Sequence, residues 1–266
     1  MNAATLLKEA RRLRSHERLS RLRDIPADRA EFARSVGLDP DDWQRRALHS
    51  ETSRLLLNCS RQSGKSTVAG VLGLHEALYH PGALVLILAP AERQAKELFT
   101  KIAEFYRRLG HPVPADSYRK LGMELSSGSR IEALPGTEKT IRGFSGVDLL
   151  IVDEASRVSD ELYYAIRPML AVSGGRLMML STPYGKRGVF FEEWSGGEGW
   201  ERYEVRAEEC ERIPPSFLEE ERRALPAWIF RQEYECSFED TEDQLFGYEL
   251  VQSSISGEVT PLFEEG

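Results

Sequence analysis

Apolar residues along this chain fall into short continuous runs separated by helical stripes. Leu55-Leu56-Leu57-Asn58, Leu84 to Ala89, Val147 to Val152 and Leu177 to Ser181 are of strand length. They lack the alternation of a half-solvated strand, so they predict central strands covered on both faces. Between the runs the period changes. Val68, Val71, Leu72, Leu74 and Leu78 keep one face of a helix that begins near Lys65 apolar, and further helices are expected over Glu92 to Leu109 and Ser159 to Leu170. Strands alternating with helices give an α/β class with a mostly parallel sheet and right-handed crossovers. A hairpin near Leu121 to Leu134 and an alternating strand from Trp200 to Val205 extend it. Helices from Pro215 to Leu225 and Ala227 to Tyr234 then form a small lid. With a helical lead-in over about Ala3 to Ala33, the expected division is lead-in 1–36, core 37–210, lid subdomain 211–238 and an acidic, poorly patterned linker 239–266.

The first strand runs into Cys59-Ser60-Arg61-Gln62-Ser63-Gly64-Lys65-Ser66-Thr67. This fits the phosphate-loop template between strand and helix, except that Cys59 stands where the template has its first glycine. Backbone N–H groups from Gln62 to Ser66 are expected to form an anion nest backed by the helix N-terminus. Gly64, without a Cβ, lets backbone approach phosphate oxygens. Lys65 supplies charge to the β- and γ-phosphates, and Ser66 a hydroxyl for Mg²⁺.

The third run ends in Asp153-Glu154, at the carboxyl end of a buried strand, where ligands of such sheets bind. Asp153 is the candidate Mg²⁺ holder and Glu154 the group that orients and polarises a water. A helix N-cap accounts for one of these acids and not for both. Loop and carboxylates together predict hydrolysis of a Mg-nucleotide, ATP.

These motifs, in their order, resemble those of the ATPase half of viral large terminases, the motors that package double-stranded DNA. The loop carries Arg61-Gln62 and no leading glycine, as in that family. Asp42-Trp43-Gln44 resembles its adenine-reading segment, Ala89-Pro90-Ala91-Glu92-Arg93-Gln94-Ala95 the stretch after its second core strand, Asp153-Glu154-Ala155 its acidic motif, and Leu180-Ser181-Thr182-Pro183 its coupling motif. Phe230 to Phe246 is similar to its linker toward a nuclease. The resemblance implies a P-loop NTPase fold of the RecA/ASCE-like kind with a small C-terminal helical lid. It also implies that Trp43, Gln44, Ser60, Arg61, Gln62, Ser63, Gly64, Lys65, Ser66, Thr67 and Thr182 bind nucleotide. Gln44 can pair with adenine through its amide, or be an ordinary helix glutamine. Ser181 and Thr182 can sense the γ-phosphate, or simply close a strand at the Pro183 turn. Arg61 in cis and Arg142 in trans are both candidates for stabilising the transferring phosphoryl group, with Arg142 favoured.

The net charge of −8 looks wrong for a protein that handles DNA, but charge is uneven. Lys8, Arg11, Arg12, Arg14, Arg18, Arg21 and Arg23 cluster near the N-terminus, and Lys96, Lys101, Arg107 and Arg108 share the helix over Glu92 to Leu109. Each group can meet phosphate backbone, or be a solvated helix face. Cys59, Cys210 and Cys236 have no CxxC spacing, which speaks against a structural metal or disulfide framework. No apolar run reaches membrane-span length, and no signal peptide is expected. The resemblance implies a homo-oligomeric ring, a pentamer, acting on double-stranded DNA with a capsid portal and a small terminase subunit. It also implies a place in the host cytoplasm, transiently docked on the procapsid. No nuclease carboxylate cluster is found, so DNA cleavage is not expected of this chain. A helicase-type translocase and a nucleotide-dependent assembly module with negligible turnover are the competing functions. The first normally needs a second RecA-like domain, and the second has no need of Glu154.

Overall fold

The computed structural model describes residues 22–135, 141 and 143–240. Its centre is an eight-stranded sheet. In chain order the strands are β1 (Arg54–Cys59), β2 (Leu84–Ala89), β3 (Ala115–Arg119), β4 (Gly122–Leu125), β5 (Arg130–Pro135), β6 (Leu149–Asp153), β7 (Arg176–Ser181) and β8 (Glu201–Val205). They lie in the order β3-β4-β5-β2-β6-β7-β1-β8. From β5 to β8 every pair is parallel. The β3-β4-β5 meander is antiparallel. β7 therefore lies between the strand that enters the phosphate loop and the strand that ends in Asp153.

The continuous apolar runs have a direct explanation. Successive side chains point to opposite faces of a strand, and both faces here are covered. Leu55, Leu57, Val85, Ile87, Leu149, Ile151, Met178 and Leu180 enter one core. Leu56, Leu84, Leu86, Leu88, Leu150, Val152, Leu177 and Met179 enter the other. The first core is closed by α1 (Arg29–Ser35), α2 (Asp42–His49), α3 (Lys65–Tyr79) and α4 (Glu92–Arg108). The second is closed by α5 (Asp160–Ile166) and α6 (Gly188–Ser195). Helices α7 (Pro215–Ala224) and α8 (Ala227–Tyr234) complete the described fold.

Several expectations shift in detail. The third core strand begins at Leu149, and just before it the Asp148 carboxylate accepts the Leu84 N–H at 2.7 Å. The helix expected to Leu170 is α-helical only to Ile166. It then tightens into a 3-10 turn over Arg167–Leu170, where Pro168 cannot donate. The hairpin is present as β4 and β5 and gains a third strand, β3. Helix α6 has no counterpart in the sequence reading. The segments 1–21 and 241–266, which hold most of the basic lead-in and of the linker, lie outside the described residues.

Candidate functional site

The phosphate loop is held from several sides before any ligand is considered. Ser60 N–H donates to the Val205 carbonyl at 2.9 Å and Arg61 N–H to the Glu233 carbonyl at 3.0 Å. Ser63 Oγ donates to the Ser60 carbonyl at 2.8 Å, closing the loop on itself. Gln62 and Gly64 take positive φ, 62° and 94°. The φ at Gly64 favours glycine, and a Cβ there would also lie 2.5 Å from Gln44 Nε2, so that side chain would have to move. Helix α3 starts at the next residue, Lys65, and aims its first N–H groups back into the loop. Cys59 is fully buried in the first core, and burial pushes its thiol pKa far up, so it stays a neutral apolar side chain. A small buried hydrophobe thus fills the template's first glycine position.

Lys65 is nearly buried and donates from Nζ to Thr182 Oγ1 at 3.2 Å. Thr182 follows directly on β7, so the contact crosses from the loop to the end of that strand. Asp153 ends β6 and is 6% exposed. Burial foremost, and then the neighbouring Glu154 charge, push its carboxyl up to about 6. Glu154 has φ 51° and ψ 43°, a left-handed backbone uncommon for a residue with a side chain. Its N–H is satisfied by Asp153 Oδ1 at 3.0 Å. The turn is pinned by Ser156, whose Oγ meets Ser181 Oγ at 2.7 Å and donates to the Thr182 carbonyl at 2.8 Å.

A cavity of about 1270 Å³ joins these parts. Of the sequence candidates, Gln44, Arg61, Gln62, Gly64, Lys65, Ser66, Thr67, Asp153, Glu154 and Thr182 line it. Ser60 and Ser63 are fully buried behind the loop and act on its shape. Trp43 does not line the cavity: it is 5% exposed in the first core, so its expected place beside a nucleotide is corrected to packing. Neighbouring positions on a helix point about 100° apart, which separates Trp43 from Gln44. Gln44 Oε1 accepts the Asp41 N–H at 3.0 Å. Arg61 reaches Glu233 through a short ion pair. Arg142 lies outside the described residues.

Residues that the sequence did not place in the cleft complete its walls. Arg212 bridges Asp41 (Nη1 to Oδ1, 2.9 Å) and the Ser63 carbonyl (Nη2, 2.8 Å). Arg157 stacks over Tyr184 with its guanidinium carbon 3.9 Å from the ring centre. Lys101 turns inward from α4, whereas Arg108 on the same helix donates to the Val36 carbonyl at 2.9 Å. The basic group on this helix is therefore no continuous solvated stripe.

Ser66 hydroxyl and Asp153 carboxylate form a hard oxygen donor set that suits Mg²⁺ completed by substrate phosphates. The fit rests on Asp153, a carboxylate so enclosed that its charged form needs a cation. Among the described residues, no group of three or more His, Cys, Asp or Glu could hold a metal alone.

The raised Asp153 pKa has a consequence for the ligand-free protein. Between the ordinary carboxyl value of 3.8 and about 6, the unfolded chain has lost its proton and the folded chain keeps it. Stability at this position falls as pH rises through that window and stays lowered above it. Asp153→Asn is therefore expected to stabilise the ligand-free fold at pH 8, on the order of 3 kcal/mol, with the gain vanishing as pH approaches 4. Thermal melting of variant and parent across pH measures it, and a gain independent of pH would contradict this account of the shift.

Comparison with known proteins gives the family and the fold. Residues 56–253 match the family model described as terminase large subunit, T4likevirus-type, N-terminal. The chain is 28% identical over 265 residues to the large terminase subunit of Thermus virus P23-45, covering 86% of this chain and 54% of that protein. It is 27% identical over 210 residues to the large terminase subunit of Escherichia phage T5, covering 75% and 47%. It thus spans about half the length of the curated relatives it matches. Among solved structures, the large terminase ATPase domain of Thermus phage P74-26 shares the fold with a TM-score of 0.70 at 24% identity, over 79% of this chain and 98% of that one. The large terminase of a thermophilic bacteriophage, solved in complex with ADP, gives 0.62 at 10% identity, over 75% and 54%.

Proposed function

Since the chain belongs to the family of T4-like terminase large subunit N-terminal domains, we propose that its cleft hydrolyses ATP with Mg²⁺ and that hydrolysis drives double-stranded DNA into a viral capsid. One observation carries the reading. Within a single cavity at the carboxyl ends of β1, β6 and β7 stand an anion-binding loop with Lys65, a buried Asp153 and the adjacent Glu154. The large terminase from the thermophilic bacteriophage, solved with ADP and with ATP-gamma-S, supports a nucleotide as the occupant.

In the proposed cycle the loop N–H groups and Lys65 hold the β- and γ-phosphates, and Ser66 and Asp153 would hold the cation. Mg²⁺ held there would neutralise charge that develops on the phosphates. Glu154 takes a proton from the attacking water. Lys65 and Thr182 meet across the cleft, so loss of the γ-phosphate is felt at the end of β7. Arg61 is engaged with Glu233, which favours Arg142 of a neighbouring subunit as the transition-state cation.

Residues 211–238 act in this reading as the lid. The Glu233 carbonyl in α8 takes the Arg61 N–H, and the Cys236 carbonyl just after α8 takes Asn58 Nδ2 at 3.0 Å, so a shift of the loop or of β1 would reach this segment. The working assembly is a pentameric ring with a capsid portal, a small terminase subunit and a nuclease, docked on a procapsid in the host cytoplasm. Lead-in 1–36 and linker 239–266 connect the core 37–210 to these partners. Among the described residues no helix is long and apolar enough to cross a membrane.

Displacement of a third-strand oligonucleotide from a DNA triplex tests movement along a duplex. Displacement with ATP and none with ATP-gamma-S is expected. Sustained hydrolysis without displacement at any protein concentration would contradict the motor, and nucleotide binding with neither hydrolysis nor displacement would favour the assembly module.

A further inference from the structure

Helix α4 sends one lysine into the nucleotide cleft. Leu98, Ile102 and Phe105 anchor that helix in the first core, and it packs closely on α3 where Gly70 and Gly73 lack side chains. A Cβ on Gly70 would lie 3.1 Å from Phe105 Cε2 and 3.7 Å from Lys101 Cγ, and one on Gly73 3.2 Å from Ile102 Cδ1. This close approach carries the Lys101 stem over the first turn of α3. Its Nζ there donates to Thr67 Oγ1 at 3.3 Å, and the side chain lines the same cavity as Lys65, Asp153 and Glu154.

The bonding polarity is informative. An ammonium only donates, so Thr67 Oγ1 is the acceptor and its own proton stays free to donate. Hydrogen bonds in series polarise one another, which makes that hydroxyl a stronger donor. Among the described residues Lys101 has no carboxylate in ion-pair contact, and burial lowers its pKa while the more distant Asp153 and Glu104 work against that. A half-buried ammonium whose neighbour is a neutral hydroxyl calls for an anion in the space that both groups line.

Taking the nucleotide reading of the cleft as given, we infer that Lys101 and Thr67 form a second phosphate-binding unit that contacts the phosphate chain of the bound nucleoside di- or triphosphate. Lys65 serves the end of the cleft at Thr182, Asp153 and Glu154. Lys101 approaches from α4, across the first turn of α3. A nucleotide bound here links α3 to α4 through its phosphates, and α4 thereby becomes part of the machinery that responds to the nucleotide.

Calorimetric titration of ADP and of ATP-gamma-S, with Mg²⁺ present, into the parent, Lys101→Met and Lys101→Arg tests this. Lys101→Met is expected to weaken both nucleotides by about 10- to 100-fold, the range of one charge-assisted contact. Lys101→Arg should recover much of the loss, and melting of the ligand-free Lys101→Met protein should match or exceed the parent. Thr67→Val added to Lys101→Met should cost little more than Lys101→Met alone, because the two act as a unit. Unchanged affinity in Lys101→Met, beside a parent that binds, overturns the assignment while leaving the nucleotide reading intact. Unchanged affinity with a lowered Mg²⁺ requirement overturns it too, by making Lys101 a counter-charge for Asp153. A parent that binds neither nucleotide overturns both at once.

Discussion

Glu154→Gln is expected to lower ATP turnover by about 10²- to 10⁴-fold, the usual contribution of a positioned general base, while ADP and ATP-gamma-S still bind. The two halves of that result have separate causes. Glutamine keeps the length and shape of the side chain, so the left-handed turn at this position (φ 51°) is asked of a similar residue. What it loses is the ability to accept a proton. Binding is retained for an electrostatic reason: the Glu154 charge is the second cause, after burial, of the raised Asp153 pKa. Neutralising it makes Asp153 easier to ionise, so the cation site is left intact or improved. A variant that hydrolyses at the parent rate would remove Glu154 from the reaction. One that fails to bind nucleotide would make the carboxylate part of the binding site instead.

Lys65→Ala is expected to act on the other term, with nucleotide affinity falling by about 100-fold, roughly 3 kcal/mol, for a charge-assisted contact in an enclosed site. Its effect on the ligand-free fold should be small. Lys65 is 8% exposed and its bond is to a neutral hydroxyl, that of Thr182. Removing an enclosed ammonium lifts its desolvation cost, and this offsets the loss of a positive charge that favours ionised Asp153. Melting should therefore show a variant as stable as the parent without ligand and a lost upward shift with ADP. A variant that melts well below the parent without ligand would mean that the lysine is chiefly structural.

The central strands were legible because burial on both faces forces continuous apolar runs, and residues such as Val85 and Leu86 then divide between two cores. The loop and the carboxylate pair were legible because their chemistry depends on short local spacing. What escaped lacks either signal. β3 reads Ala-Asp-Ser-Tyr-Arg and is mostly exposed at a sheet edge, so it carries no apolar pattern. Helix α6 is short and begins at Gly188, a residue that weakens any helical reading. Arg212 reaches Ser63 and Glu233 reaches Arg61 across 149 and 172 positions of sequence, and only the packed fold brings them together. Lys101 belonged to a basic group, and the sequence alone did not distinguish the lysine on the flank of the apolar stripe from the solvated ones. At Asp42-Trp43-Gln44 the segment was found but its division of labour was not, since Trp43 supports the core and Gln44 the loop.

The most direct test is phosphate release from ATP across a wide range of protein concentration, with Glu154→Gln as control. A site completed by the Arg142 of a neighbour predicts specific activity that rises with concentration and disappears in the control. Release that is equal in parent and control, or absent from a parent that binds ATP, would contradict the assignment of this cleft as a hydrolytic site built on Lys65, Asp153 and Glu154.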